Sequence, residues 1–463
     1  MNNRSILEFL QTLGMQPQNP EFRQDIDLWE SWYRGKVERF HTYTVFNGVK
    51  TVKRERASLN MAKTVAEDWA NLLLNEKVVI AVEGRQEQLD EVLEDNRFGV
   101  DANRCVEWAF ATGTAAFSEY LDADGNVRID YHKGSQVWPL KWEGTRITEC
   151  AFSSVASYGD GQAVFLRVYR AVRDGYQRIE NYWLDYESGK RLATPEGVVE
   201  SVMAPTEVPL FQIITPNIAN NVDTTCPMGI SVFANAIDCL QAVDAVFDSY
   251  QTEFLLGRKR LMVPMSMVQI ERSREGGDMV PVFDVNDLAY TAYQPADGQA
   301  ADFHDFSPDI RAEEHMNGLK AQLNVLSFKC GLGAGRYEFD KAAGVKTATE
   351  VISEQSDLYQ SMKKHELVLE HVLTGLVDAI FSLLKLGEPE VTITFDDSII
   401  QDKTTMRNDA REDVGAGLMS KFRYLTEVVG MSEQDASKEL ERIRAEASIT
   451  ADAIDFFNVK TAE

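Results

Sequence analysis

Apolar residues recur along residues 347–385 at steps that alternate mostly between four and three. Val351, Leu358, Met362, Leu369, Val372, Leu376, Ile380 and Leu383 fall on one face, with Gln355 and His365 filling two steps. This spacing predicts one helix of roughly 58 Å, at about 1.5 Å per residue. Thr347-Ala-Thr-Glu350 reads as its capping box. A compact domain rarely needs so long a helix, so it is expected to span a large assembly or serve a mechanical role. A second stripe, Phe233, Ile237, Leu240, Val243, Phe247, Tyr250 and Phe254, predicts a helix over Ser231–Leu256 whose only charges are Asp238, Asp244, Asp248 and Glu253. Arg258, Lys259 and Arg260 follow it, cations at the negative end of the helix dipole. Ser307-Pro308 predicts a third helix start, running to Lys329, where Cys330-Gly-Leu-Gly-Ala-Gly335 stops it. The helices at 231–256 and 308–329 should run antiparallel. Short strands between them, such as Met279–Phe283 and Leu288–Tyr293, should form a module at their tip.

The rest of the chain alternates between both periods. Helices are expected at 5–16, Glu21–Tyr33, Leu59–Asn75, Glu87–Glu94 and Asn103–Phe117, with a small strand at Lys77–Val82. The middle is β-rich. Asp122, Asp124 and Asn126 resemble the start of a calcium loop, but Lys133 stands where a bidentate Glu would close it, so a hairpin turn is expected. Val164–Val172 and Tyr176–Leu184 flank Asp174-Gly175 as a second hairpin. Pro205, Pro209, Pro216 and Pro227 mark a largely irregular crossing over 204–229. A strand at Glu390–Phe395 precedes a helical stretch, 404–446, that breaks at Gly430 and restarts after Ser432. Its second helix is too acidic to read DNA. Residues 449–463 are expected to be a loosely held tail. The fold class is α+β, helix-rich.

Composition narrows the function. A net charge of −26 argues against tight nucleic-acid binding by a basic face, though not against a wall past which DNA slides. No apolar run approaches a membrane span, and the N-terminus lacks a signal-peptide core. Five scattered cysteines read as free thiols. Gly331-Leu-Gly-Ala-Gly335 lacks the Lys-Ser/Thr of a phosphate loop and follows a helix rather than a strand, so it reads as a hinge. There is no HExxH, no GxSxG and no pair of carboxylates whose spacing nominates catalysis. Nothing in the sequence asks for an enzyme, a metal or a cofactor.

Several stretches, in this order, resemble the tailed-phage portal proteins of the SPP1 type. They are Trp29-Glu-Ser-Trp-Tyr-Arg-Gly35, Arg54-Glu-Arg-Ala-Ser-Leu-Asn-Met-Ala-Lys63, Gly229–Asp238 continuing through Asp248–Phe254, and Lys346-Thr-Ala-Thr-Glu-Val351. The resemblance implies a homo-oligomeric ring, usually of twelve, at one capsid vertex of the virion, assembled in the host cytoplasm. It implies a channel for double-stranded DNA during packaging and ejection. The wing would be residues 1–230 with the long helix and return at 347–395. The stem helices would be 231–257 and 308–330, the clip 258–307, the tunnel loop 331–346, and the crown and tail 396–463. The clip would dock the large terminase and later the head–tail adaptor. Major capsid and scaffolding proteins would be further partners, and no membrane is involved.

The resemblance also assigns residues. Gly333, Gly335, Arg336, Lys341 and Lys346 belong to the tunnel loop, and Glu350, Glu354 and Asp357 to an acidic tunnel wall. Phe233, Ile237, Leu240, Phe247 and Phe254 would pack the stem, and Arg258, Lys259 and Arg260 would form a basic stem–clip junction. The crown is short, so a long helical barrel is not expected. Two other readings stay open: another capsid-associated scaffold or adaptor, or a soluble enzyme that shares the helix layout. The length and the helix–module–helix order favour the first reading.

Overall fold

The computed structural model describes residues 3–16, 19–46, 50–75, 78–257, 260–272, 279–282, 290–295, 302–306, 308–337, 348–395, 410–431 and 435–443. The chain divides into two units, Met1–Phe395 and Asp396–Glu463.

In the first unit, α1 (Asn3–Thr12) is followed by α2 (Pro20–Tyr33), which starts where the Asn19 side chain accepts from the Glu21 N–H and Pro20 occupies the first turn. A four-residue helix, α3 (Glu38–His41), leads into a hairpin of β1 (Thr42–Phe46) and β2 (Thr51–Glu55). The sequence carries a signal for that hairpin, Asn47-Gly48 between two β-branched runs. Next come α4 (Met61–Leu73), β3 (Val79–Val82), α5 (Gln86–Asp95) and α6 (Phe98–Thr112).

The helix expected to reach Phe117 ends at Thr112 instead. Gly113 takes φ +83°, and Ala115–Leu121 continues as β4. Any Cβ on Gly113 would come within 2.4 Å of the Gly229 carbonyl oxygen, so two backbones touch here and only glycine fits. β4 pairs with β5 (Val127–Lys133) and with β12 (Phe211–Ile214) in a three-stranded antiparallel sheet. The turn between β4 and β5 is closed by Asp122, which accepts from the N–H groups of Asp124 and Asn126, as the hairpin reading required.

A larger antiparallel sheet has the order β10-β9-β8-β7-β6, with β11 also on β9. Its strands are β6 (Val137–Glu143), β7 (Arg146–Tyr158), β8 (Gly161–Tyr169), β9 (Tyr176–Asp185), β10 (Arg191–Leu192) and β11 (Ser201–Pro205). Asp174-Gly175 turns β8 into β9 as expected, and α1 buries Ile6 and Leu10 against Trp138, Leu140, Leu166 and Leu184 of this sheet. The stretch expected to be irregular from 204 onward instead contributes β12 and the end of β11. The Phe211–Ile214 run is apolar and finds a free edge of β4, which outweighs the surrounding prolines.

The second principal helix, α7, spans Ile237–Leu256 rather than starting at Ser231. Phe233 lies before it, in an approach segment whose Met228, Ile230, Val232 and Phe233 are buried in this chain's own core. After α7, β13 (Arg260–Pro264) pairs with β16 (Tyr290–Tyr293) and β17 (His304–Phe306), while β14 (Gln269–Arg272) pairs with β15 (Met279–Val282). Helix α8 runs Ala312–Lys329; it begins four residues beyond Pro308, and Ser307 lies outside the described residues.

Helix α9 spans Ala348–Leu384, 37 residues, close to the length read from its stripe. Leu358, Met362, Leu369, Val372, Leu376, Ile380 and Leu383 are all buried, and His365 with them. The side chains of Val351 and Gln355 lie outside the described residues. Asp357–Leu384 is long enough to cross a membrane and contains an 18-residue window with mean hydropathy 1.8, although charged and polar residues interrupt its apolar runs in the sequence. Here it packs on β4, β12 and α4 as a core helix. β18 (Val391–Thr394) then pairs with β3.

In the second unit, residues 410–415 and 435–443 are helical. A short helix, Lys421–Arg423, is capped by Ser420 and runs into one π-type turn, and Gly430 breaks the chain at φ +82°.

Candidate functional site

The antiparallel pair α7–α8 is held by contacts whose order reverses along the two helices. Lys329 Nζ donates to the Asn235 carbonyl (3.2 Å), Ser249 Oγ meets His315 Nε2 (3.1 Å), and Arg311 grips Glu253 with two N–H groups at 3.1 and 2.9 Å. Those bonds hold the Glu253 carboxyl down at about 2. The strands β13–β17 therefore lie in sequence between the far ends of two paired rods, as the sequence predicted.

One chain covers little of these rods. Among the described residues of α7 only Leu240, Val243 and Asp244 are buried, and of α8 only Leu319, Leu323, Leu326 and Ser327. At the far end Phe254, Leu255 and Leu256 are 44%, 57% and 59% exposed, and Phe328 on α8 is 70% exposed. Of the residues assigned to stem packing, Leu240 and Phe233 are buried within this chain, Ile237 and Phe247 are half-buried, and Phe254 is exposed. Phe233 belongs to the approach segment and not to the helix.

The near end of α7 is fixed by charge. Asp244 is 3% exposed and accepts three hydrogen bonds: from His41 Nε2 (3.0 Å), Ser58 Oγ (2.8 Å) and the Leu59 N–H (2.8 Å). His41 Nδ1 accepts from the Val37 N–H at 2.8 Å, which leaves Nε2 as the donor to Asp244. One turn on, Asp248 accepts from the Ala57 N–H (3.0 Å). Lys63 and Tyr33 both reach Glu107, at 2.7 and 2.6 Å. The stretches 29–35, 54–63 and 238–248 thus converge at the base of α7. A sequence reading had no signal for this beyond acids on an otherwise uncharged helix.

At the other end of α8, the glycine-rich turn is wired to the core. Gly331, Gly333 and Gly335 all take positive φ, near +78°, +76° and +80°. Ser327 Oγ donates to the Gly333 carbonyl, and Trp69 Nε1 donates to the Cys330 carbonyl at 3.0 Å. Trp69 is fully buried, stacks on Phe110 and meets the His365 ring edge-on at 4.7 Å, so one indole joins α4, α6, α9 and the turn. Beside the turn is a cavity of about 400 Å³ lined by Phe328, Gly331, Gly333, Asp357, Gln360, Ser361 and Lys364.

Arg336 lies 3.4 Å from Asp68. Lys341, Lys346, Arg258 and Lys259 lie outside the described residues. Glu350 and Glu354 sit on α9 with side chains outside them, Arg260 opens β13 with its side chain likewise outside, and Asp357 is exposed. Among the described residues no group of three His, Cys, Asp or Glu is placed to hold a metal.

No curated protein sequence matches this chain. A chain from the neck of a native gene transfer agent particle, computed with C12 symmetry, is similar in structure at 12% identity, covering 80% of this chain and 88% of its own, with a TM-score of 0.40. A chain from the virion of a native gene transfer agent particle is similar at 11% identity, covering 92% and 98%, with a TM-score of 0.45. The family model described as phage portal protein, SPP1 Gp6-like, matches residues 15–452, nearly the whole length, and the chain belongs to that family of portal proteins.

Proposed function

We propose that copies of this chain form a ring, of twelve subunits, whose α7–α8 rods line a bore for double-stranded DNA during packaging and ejection. The rods carry this reading: a two-helix pair with Phe254, Leu255, Leu256 and Phe328 bare to water is under-buried as a monomer and gains by packing side by side. Burying one such side chain fully contributes about 1.5–3 kcal/mol. In this assignment residues 1–230 and 347–395 are the wing, 231–257 and 308–330 the stem, 258–307 the clip, 331–346 the tunnel loop, and 396–463 the crown and tail. The division of the chain at Phe395 supports the last boundary.

A net charge of −26 suits a wall that must not hold DNA, because each cation neutralising a phosphate adds affinity and drag. Asp357, with Glu350 and Glu354, would face the duplex, and Arg336, Lys341 and Lys346 would touch phosphate transiently. The clip would meet the large terminase and then the head–tail adaptor, with capsid and scaffolding proteins around the wing. The ring would act without catalysis or cofactor of its own.

Electron micrographs of the purified protein viewed end-on, with light scattering for mass, test the reading. A ring of several hundred kilodaltons with a central hole wide enough for a duplex is expected. A monomer at high concentration, or a closed particle, overturns it.

A further inference from the structure

One exposed element carries charge opposite to the chain as a whole. The β1–β2 hairpin pairs with no other strand among the described residues, and Lys50, Lys53 and Arg54 stand exposed on it with one exposed acid, Glu55, at its end. Arg56, at its base, lies over the Phe40 and Tyr43 rings at 4.1 and 5.1 Å. Val45 and Phe46 are 39% and 67% exposed. Lys53 approaches Glu38 at 3.8 Å, an exposed pair of little strength.

The opposite charge gathers around another isolated two-stranded sheet, β3–β18, and the helix beside it. Glu83, Glu87, Asp90, Glu91, Glu94 and Asp95 on and before α5 are exposed, as are Glu388 and Glu390 before β18, and they outnumber the exposed Arg85, Arg97 and Lys385 beside them. The Glu83 N–H donates to the Glu390 carbonyl, so these acids share one surface. Two-stranded ribbons are marginal in water, and each of these two has an uncovered face. A closed ring of more than two subunits also needs two different, mutually complementary patches on every copy.

We propose that the β1–β2 hairpin of one copy docks on the acidic α5 and β3–β18 surface of the adjacent copy. Opposite charge sets the register, and Val45 and Phe46 supply the apolar contact. This rests on the ring reading above.

The test uses three full-length proteins: the wild type, a hairpin variant (Lys50→Glu, Lys53→Glu, Arg54→Glu) and a helix variant (Glu87→Lys, Glu91→Lys, Glu94→Lys). Circular dichroism checks that each subunit folds. Native mass spectrometry at about 0.1 M salt, where charges still act over about 10 Å, reads the ring fraction. Each variant alone is expected to lose about tenfold in ring fraction, and mixing the two, or combining all six substitutions in one chain, is expected to restore it. A carbodiimide should also join Lys50 or Lys53 to an α5 acid between wild-type copies, in the ring fraction only. A wild type that forms no ring overturns the ring reading itself. Rings that form equally well from the hairpin variant overturn this inference alone, as does a defect that neither mixing nor combination repairs. Normal rings with weakened DNA binding would make the hairpin a phosphate contact and equally overturn it.

Discussion

Replacing Asp244 with Ala tests whether the base of α7 is held as described. Three donors, His41 Nε2–H, Ser58 O–H and the Leu59 N–H, lose their acceptor in a site where Asp244 is only 3% exposed. A hydrogen bond to a charged group contributes about 1.5–3 kcal/mol, and three sharing one carboxylate do not add in full. The expected loss is therefore about 3–5 kcal/mol, typical of stranding the partners of a buried charge. Asp244→Asn keeps one acceptor oxygen but points N–H groups at a donor, and should lose about half as much. The local assay is hydrogen exchange of the Leu59 amide, which loses its acceptor, and of the Ala57 amide, which keeps Asp248 and reports whether the segment itself loosens. A loss of about 3 kcal/mol should speed their opening about a hundredfold. Thermal melting gives the global effect, and Gln251→Ala, an exposed change on the same helix, should stay within about 0.5 kcal/mol. If Asp244→Ala leaves both amides protected and melts within about 1 kcal/mol of wild type, the network does not fix the helix.

Gly113→Ala should prevent stable folding, because the new Cβ would meet the Gly229 carbonyl oxygen at 2.4 Å and the residue sits at φ +83°; recovery of soluble protein with a wild-type melting curve would refute this. His132 and His365 are held down at about 3, chiefly by burial, with Arg167 and Lys364 adding to it. The unfolded chain thus binds more protons below pH ~6.5, and stability, full above that value, should fall by about 2 kcal/mol per histidine by pH ~5. Melting temperatures across that window should show the slope, and His365→Gln should remove about half of it. Glu119 is fully buried with both carboxyl oxygens unpaired, and desolvation raises its pKa well above the usual range. Its folded pKa exceeds its unfolded one, so its presence costs stability increasingly as pH rises from about 4.5. Glu119→Gln should melt higher than wild type at pH ~8 and equal to it near pH ~4, and equal curves at both would refute the assignment. Lys341→Ala with Lys346→Ala should alter DNA packaging or retention in a particle assay while ring formation is kept; failed rings would make that loop structural.

The long-range plan of the chain was legible because helical periodicity survives in any context that buries one face. The α9 stripe followed from spacing and the α7–α8 pairing from the order of elements, and β15 and β16 fall within the two strands expected between them, while β13, β14 and β17 were not foreseen. Boundaries were less legible where glycine or an open sheet edge decided them. Gly113 ended a helix that its apolar run would have continued, and β12 formed because β4 offered an edge that no local signal announces. The β1–β2 hairpin was not among the expected elements, although Asn47-Gly48 between two β-branched runs signals it. The Asp244 network was not, since its partners His41, Ser58 and Leu59 lie about 185–203 residues away and only folding brings them together.

The approach to α7 is clamped between two touching backbones at Gly113 and Gly229, and its far end is bare. Mechanically that is a cantilever. The root leaves little room for a swivel, and the far end is tied to α8 through Glu253 and Arg311, so the two rods would move together on the packed core of β4 and α9. The glycine-rich turn closes that same root, because α8 ends beside Asn235 and the Trp69 indole ties the turn to α9.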